Sequence, residues 1–115
     1  MLVLEDNFLI ALDAEDMLKT LGVGHVEIAI NLGQASALIA EQQFDFALLD
    51  VDLGRETSFD FARKLVTLGI PFGFVSGYEE NADFPAPLRA YPRLPKPFNE
   101  EMLRDLLMMA PQGGA

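Results

Sequence analysis

Short apolar runs alternate with longer amphipathic segments along almost the whole chain, and this alternation restricts the fold more than any other feature. Leu2-Val3-Leu4, Val26 to Ile30, Phe44 to Leu49, Pro71 to Val75 and a weaker run from Tyr91 to Leu94 have strand length. The segments between them carry helical spacing. Ile10, Ala14, Met17 and Leu21 mark a first helix, with Asn7 placed to cap it and Gly22 to stop it. Ala35, Leu38 and Ile39 mark a second. Phe59, Ala62, Leu65 and Val66 mark a third, with Ser58 as its cap. Asn99 opens the last, whose apolar face is Met102, Leu103, Leu106 and Leu107; Glu100 and Glu101 fall in its first turn, where the helix dipole favours negative charge. The stretch from Glu79 to Ala90 is the exception. Pro85 and Pro87 would break a continuous helix, so a short or irregular one is expected there.

Strands that alternate with helices require a parallel sheet covered on both faces. Five such units in 115 residues are too few for an eight-stranded barrel. What remains is an open, doubly wound α/β sheet, and such sheets bind ligands beyond the carboxyl ends of their strands. Pro92 and Pro95 flank the fifth strand, with their missing N–H groups on opposite sides, which suits a short edge strand. The chain reads as one domain, residues 1–110, followed by a flexible tail at 111–115, Pro-Gln-Gly-Gly-Ala. Because the first strand begins at Met1 or Leu2, the chain is open to being cut from something longer.

Half the residues are hydrophobic, enough for a core without staples. No run approaches the roughly 20 apolar residues of a membrane span, and no basic region precedes the first apolar stretch as in a signal peptide. The chain has no cysteine, which excludes disulfides and thiol chemistry. A cytoplasmic location and no membrane partner are expected. With 18 acidic against 8 basic residues the formal net charge is -10. That sign disfavours direct nucleic-acid binding and suits a divalent cation or a basic partner, although much of it also serves solubility.

Polar residues follow the strands in a specific way. Glu5-Asp6 come after the first, Asp50 at the end of the third with Asp52 two positions on, Ser76 after the fourth and Lys96 after the fifth. All project from one edge of the sheet. Carboxylates brought together repel and need a cation; Mg²⁺, a hard ion with oxygen ligands, fits. Lys96 can neutralise a carboxylate or a phosphoryl oxygen, and Ser76 can donate to another. The set describes a site where a phosphoryl group lands on a carboxylate. Taken singly, each residue has an ordinary use: Glu5-Asp6 as a solvated loop or cap, Ser76-Gly77 as a turn, Lys96 as a loop lysine. Asp52 is open between a side-chain role and use of its carbonyl alone. Asp50 stands out because apolar Ala47-Leu48-Leu49 precede it.

From Leu2-Val3-Leu4-Glu5-Asp6 through Leu48-Leu49-Asp50-Val51-Asp52-Leu53-Gly54 and Ser76-Gly77 to Lys96-Pro97-Phe98, the chain resembles the receiver domain of bacterial two-component response regulators. The resemblance implies a flavodoxin-like (βα)₅ fold with strand order 2-1-3-4-5. It implies Asp50 as phosphoacceptor, Glu5 and Asp6 as the acidic pair serving Mg²⁺, the Asp52 carbonyl completing the metal's protein ligands, and Ser76 and Lys96 binding phosphoryl oxygens. A sensor histidine kinase or histidine phosphotransfer protein would be the donor, and Lys96-Pro97 is a candidate cis peptide. Such a domain is no enzyme toward other substrates; it catalyses only its own phosphorylation and dephosphorylation. Monomer or weak homodimer is the expected state.

The chain departs from the family where the signal is usually read out. Receivers carry an aromatic residue three positions before the lysine; here it is Arg93. Phe74-Val75-Ser76-Gly77-Tyr78 resembles a receiver subgroup with a Phe-Ala-Thr-Gly-Tyr-like fourth strand, which also departs at the fifth strand and in its fourth helix. Tyr78 and Arg93 are therefore candidates for the output change. His25 reads as a loop residue remote from the site. Two other readings compete. Haloacid-dehalogenase-type phosphatases share an Asp-x-Asp, a Ser or Thr and a Lys, but they need an acidic pair after the lysine, and here the pair comes first. A degenerate receiver that binds partners without phosphorylation stays open because of the altered output surface.

Overall fold

The apolar runs form five strands: β1 Leu2–Leu4, β2 Glu27–Ala29, β3 Ala47–Asp50, β4 Phe72–Ser76 and β5 Arg93–Pro95. Four helices alternate with them: α1 Phe8–Thr20, α2 Leu32–Glu41, α3 Phe59–Leu68 and α4 Glu100–Met109. A 3₁₀ turn, Ala86–Leu88, stands between β4 and β5, where the prolines exclude a longer helix. The structure, a computed structural model, describes residues 1–54, 56–77 and 84–109. Tyr78 and the tail at 111–115 lie outside the described residues. No helix among them is long and apolar enough to cross a membrane.

All strand pairings are parallel, in the order β2-β1-β3-β4-β5. The two faces are covered by different helices. Leu2, Leu4, Leu49, Phe72 and Phe74 meet Ala35 of α2 and Phe61, Ala62 and Leu65 of α3. Val3, Leu48, Val75 and Leu94 meet Ala14 and Leu18 of α1 and Leu103 and Leu106 of α4. Alternate residues of one strand thus enter opposite cores, as the two-residue period of a strand requires.

Asn7 caps α1 as expected: its Oδ1 accepts from the N–H groups of Leu9 and Ile10 at 3.1 and 3.3 Å. Asn31 and Asn99 do the same for α2 and α4. Gly22 adopts φ +99° and ends α1 in a Schellman turn, with Gly22 N–H donating to Lys19 O and Val23 N–H to Leu18 O, both at 3.0 Å. Four local expectations are revised. Ser58 makes no side-chain cap; it is buried with its hydroxyl unpartnered. Val66 is exposed, because α3 turns Phe61, Ala62 and Leu65 inward instead. The deepest residues of α1 are Ala11, Ala14 and Leu18, while Ile10, Met17 and Leu21 flank them at partial burial. β5 starts at Arg93 rather than Tyr91, since Pro92 has no N–H to give and Tyr91 leaves the sheet to stack on Phe72 at 4.3 Å.

Candidate functional site

Asp50 closes β3 at its carboxyl end and is 2% exposed. Glu5, directly after β1, is also buried, and so is Ser76 at the end of β4. β1 and β4 are the two neighbours of β3, so register alone brings these three together. The cis peptide Lys96–Pro97 follows β5, and the Lys96 N–H donates to Ser76 O at 3.0 Å. From there the lysine reaches across two strands: Nζ lies 3.1 Å from Asp50 Oδ1 and 3.3 Å from Glu5 Oε2. The other Glu5 oxygen, Oε1, accepts from the Asn7 N–H at 3.1 Å, which orients the carboxylate toward the pocket.

The contact between Lys96 and Asp50 is an ion pair without hydrogen-bond alignment. Both Asp50 oxygens are buried, and among the described residues neither has a well-aligned hydrogen-bond donor. Burial raises the Asp50 pKa most, and the negative charge of Glu5 raises it further. Together they outweigh the attraction of Lys96 and push the carboxyl up to about 8. Burial alone would lower the Lys96 pKa, but Asp50 and Glu5 more than reverse it, so the ammonium is held above its ordinary value. Such a pocket is electrostatically incomplete: two carboxylates press on one shared cation.

Glu5, Asp6 and Asp50 each offer a carboxylate oxygen, and these atoms lie within 4.8 Å of one another, so the cluster could hold a metal ion. Asp6 is exposed and would face the entry side. The orphaned Asp50 oxygens and the hard-oxygen donor set fit a divalent cation. The Asp52 carboxylate stands outside this cluster; its Oδ1 accepts from the Gly54 N–H at 2.9 Å in a tight turn. Gly54 takes φ +91°, and a Cβ there would meet Asp6 Oδ2 at 3.9 Å, so this turn brings the loop after β3 up beside the acids. The sequence reading missed Gly54 and the Asn7 N–H as parts of the site. Their signal, a Gly after Asp-x-Asp-Leu and an Asn after Glu-Asp, is shared with many ordinary turns and caps.

Arg93 lies three positions before Lys96, on the face of β5 away from Leu94, with its guanidinium carbon 4.4 Å from the centre of the Phe84 ring. His25 lies at the opposite, amino edge of the sheet, where its Nε2 is 3.3 Å from Glu27 Oε1. A hollow of about 1060 Å³ opens at that edge, lined among others by His25, Gln42, Asp45 and Gly69. It is larger than the groove of about 280 Å³ beside Lys96, but among the described residues no group of three or more acidic or metal-ligating side chains gathers there.

A five-stranded parallel sheet in the order 2-1-3-4-5, with acids and a lysine at its carboxyl edge, defines a doubly wound domain of the flavodoxin-like class. More narrowly, the chain belongs to the response regulator receiver domain family, whose model matches residues 1–108. The chain is similar to the solution structure of SdrG from Sphingomonas melonis Fr1, with 33% identity, a TM-score of 0.81, and 93% of this chain and 91% of that one covered. A CheY-like receiver domain protein from Methanospirillum hungatei JF-1 is 28% identical, with a TM-score of 0.80 over 93% of this chain and 88% of that one. The receiver domain of NtrX from Brucella abortus, 20% identical with 93% of each chain covered, shares the fold at a TM-score of 0.83. No curated protein sequence matches the chain.

Proposed function

We propose that this receiver accepts a phosphoryl group on Asp50 from a sensor histidine kinase or histidine phosphotransfer protein and signals by a change of conformation. The observation that carries this is the Asp50 carboxylate: it is buried, its charge faces only the Lys96 ammonium at 3.1 Å among the described residues, and it sits inside an acidic cluster. An Asp50 oxygen attacks phosphorus as the phosphorus–nitrogen bond to the donor imidazole breaks, and the imidazole keeps that electron pair and takes up a proton. Water attacking the same phosphorus later returns the free carboxylate and inorganic phosphate. Glu5, Asp6, Asp50 and the Asp52 carbonyl would hold Mg²⁺, which when bound neutralises the charge gathering on the phosphoryl oxygens. Lys96 pairs with one of those oxygens and Ser76 donates to another. Beside the pocket a groove of about 280 Å³ runs between Ile10, Asp13 and Met17 of α1 and Lys96, Pro97 and Phe98, next to the exposed Phe8 and Leu9. The donor would seat there.

In this reading residues 1–110 are the receiver and 111–115 a tail, the domain works in the cytoplasm as a monomer or weak homodimer, and its only catalysis is its own phosphorylation and dephosphorylation. The test is incubation with Mg²⁺ and a small phosphodonor, followed by intact mass. The expected gain is about 80 Da, one phosphoryl group, absent in Asp50→Ala and in metal-free buffer. A wild-type chain that gains nothing under any donor supports the second reading, a degenerate receiver acting by binding alone. That reading is favoured by one observation: Arg93, packed over Phe84, stands where receivers carry an aromatic.

A further inference from the structure

Two hollows meet beside Asp50. One is a small cavity of about 10 Å³, room for about one water molecule, lined by Asp50 and Glu5 and by apolar Val3, Leu48 and Val75. The other is the groove of about 280 Å³ along Asp13, Met17, Lys96 and Pro97. Ile10 and Phe98 line both, and no other residue does. They stand as the partition between the open groove and the Asp50 carboxyl. Leu48 and Asp50 are two apart on β3 and share the face that α1 and α4 cover, so the cavity reaches the carboxyl from that side. Asp6 and Asp52, which face the metal's side in the reading above, line neither hollow.

Both partition residues are held in place through the backbone. Ile10 stands in the capped first turn of α1, its N–H donating to Asn7 Oδ1 at 3.3 Å. Phe98 comes directly before Asn99, whose Oδ1 accepts from the Met102 N–H at 2.8 Å and whose carbonyl accepts from the Leu103 N–H at 3.0 Å. Phe98 also packs against the core that holds Val75, Leu94 and Leu103. Each side chain is half-buried. A phosphorylated Asp50 has two electrophilic atoms, the phosphorus and its own carbonyl carbon, Cγ. Water attacking carbon bonds its oxygen to Cγ, the bond from Cγ to the phosphate oxygen breaks, phosphate leaves with that electron pair, and the water gives up a proton. The products are the same as for attack at phosphorus. An amine attacking Cγ would instead leave an amide and end the residue's use as an acceptor. The groove is where the donor would seat, so nucleophilic side chains come near on that side, and a reactive intermediate is protected when its site is closed to them.

We infer that Ile10 and Phe98 form a wall that keeps water and amines entering from the groove off the Asp50 carbonyl carbon, so that the aspartyl phosphate decays through its phosphorus alone. The inference rests on Asp50 being the phosphoacceptor. Both residues are positioning residues: they touch the cavity, and they act by what they exclude from it. Shortening either side chain joins the cavity to the groove, because the surrounding core relaxes only in part.

The test phosphorylates the whole chain with phosphoramidate and Mg²⁺ in ordinary water, removes the donor, and lets the product decay in heavy-oxygen water. Attack at phosphorus puts the label in the released phosphate; attack at carbon puts it in the Asp50 carboxyl, read by the mass of the peptide that holds it. A parallel decay with hydroxylamine reads attack at carbon as an Asp50 hydroxamate. Wild type should label phosphate. A wall that suppresses the carbon route about tenfold adds about 1.4 kcal/mol to that barrier. Label in Asp50 and hydroxamate should therefore each rise about tenfold in Phe98→Ala and in Ile10→Ala, with Phe98→Leu between them and wild type. Ile10→Ala, a substitution that a helix tolerates, covers the case in which Phe98→Ala does not fold. Leu18→Val loosens the same core but lines neither hollow, so it should lose thermal stability and keep the wild-type pattern. Folded and phosphorylated Phe98→Ala and Ile10→Ala that label like wild type overturn the inference and leave both residues as packing. Wild type with as much label in Asp50 as these variants overturns it too, as does a Leu18→Val that matches them. Should wild type gain no phosphoryl group, the Asp50 reading itself fails and the wall's role falls with it, a result told apart by intact mass before the decay begins.

Discussion

At the carboxyl edge of the sheet, Glu5 and Asp50 share the Lys96 ammonium in a buried pocket; at the amino edge, the Met1 amine stands 3.8 Å from Asp45, a side chain 82% exposed, and His25 lies 3.3 Å from Glu27. The residue types and distances are similar. Water makes the difference. Exposed pairs are screened and are worth about 0–1 kcal/mol, so the amino edge contributes little to stability. In the pocket the same charges have lost their hydration and are only half compensated, which pushes the Asp50 carboxyl up to about 8 and puts its charged form under electrostatic load. The larger hollow is at the quiet end and the chemistry at the crowded one.

The largest test of this contrast is Asp50→Asn. It removes the load and leaves Lys96 paired with Glu5. The metal-free protein at pH 7 should gain about 2–4 kcal/mol, at about 1.4 kcal/mol per unit of displaced pKa, read by urea unfolding. A loss of stability would mean that Lys96 already balances both carboxylates. Next comes pH. The folded-state pKa of Asp50, about 8, lies above its ordinary 3.8, so its contribution is full below 3.8 and is lost as pH rises through 8. Lys96, also raised, loses its contribution only above 10.5. Metal-free wild type should therefore weaken from pH 5 to pH 9 relative to Asp50→Asn, and saturating Mg²⁺ should flatten the difference; a parallel pair of curves without metal would sink the account.

A smaller effect is expected from Asp6→Ala, which takes one exposed carboxylate from the cluster. Mg²⁺ affinity should drop about tenfold, roughly 1.4 kcal/mol, by calorimetry, with folding unchanged. The smallest belongs to the amino edge. Asp45→Asn should shift stability by less than about 0.5 kcal/mol at any pH from 5 to 9. A larger change there would erase the distinction between the two edges.

Much of the architecture was legible in the chain because strand and helix periods are local. Asn7, Asn99 and Gly22 marked helix ends through hydrogen bonds spanning two to five residues, and the two prolines around β5 placed it at an edge. The positions of Glu5, Asp50, Ser76 and Lys96 at strand ends followed from the same reading, and the parallel order of the sheet brought them to one pocket. What failed was the rotation of helices. Val66 and Leu65 are both apolar neighbours on one turn, and which of them is buried depends on the sheet that α3 meets. Ser58 stands at the N-cap of α3 as expected, but its hydroxyl makes no capping bond and lies buried and unpartnered, while the loop after β3 holds its N–H on Val51 O at 3.1 Å.

Element type and order, the caps, and the set of chemical groups at the carboxyl edge were written in the amino-acid order, since each depends on residues within a few positions. The sharing of one lysine by Glu5 and Asp50, the upward push on Asp50, the exclusion of the Asp52 carboxylate from the acid cluster and the meeting of Ile10 and Phe98 beside Asp50 were not. Those depend on side chains brought together from distant parts of the chain, on the water they displace, and on which neighbour reaches each buried atom first.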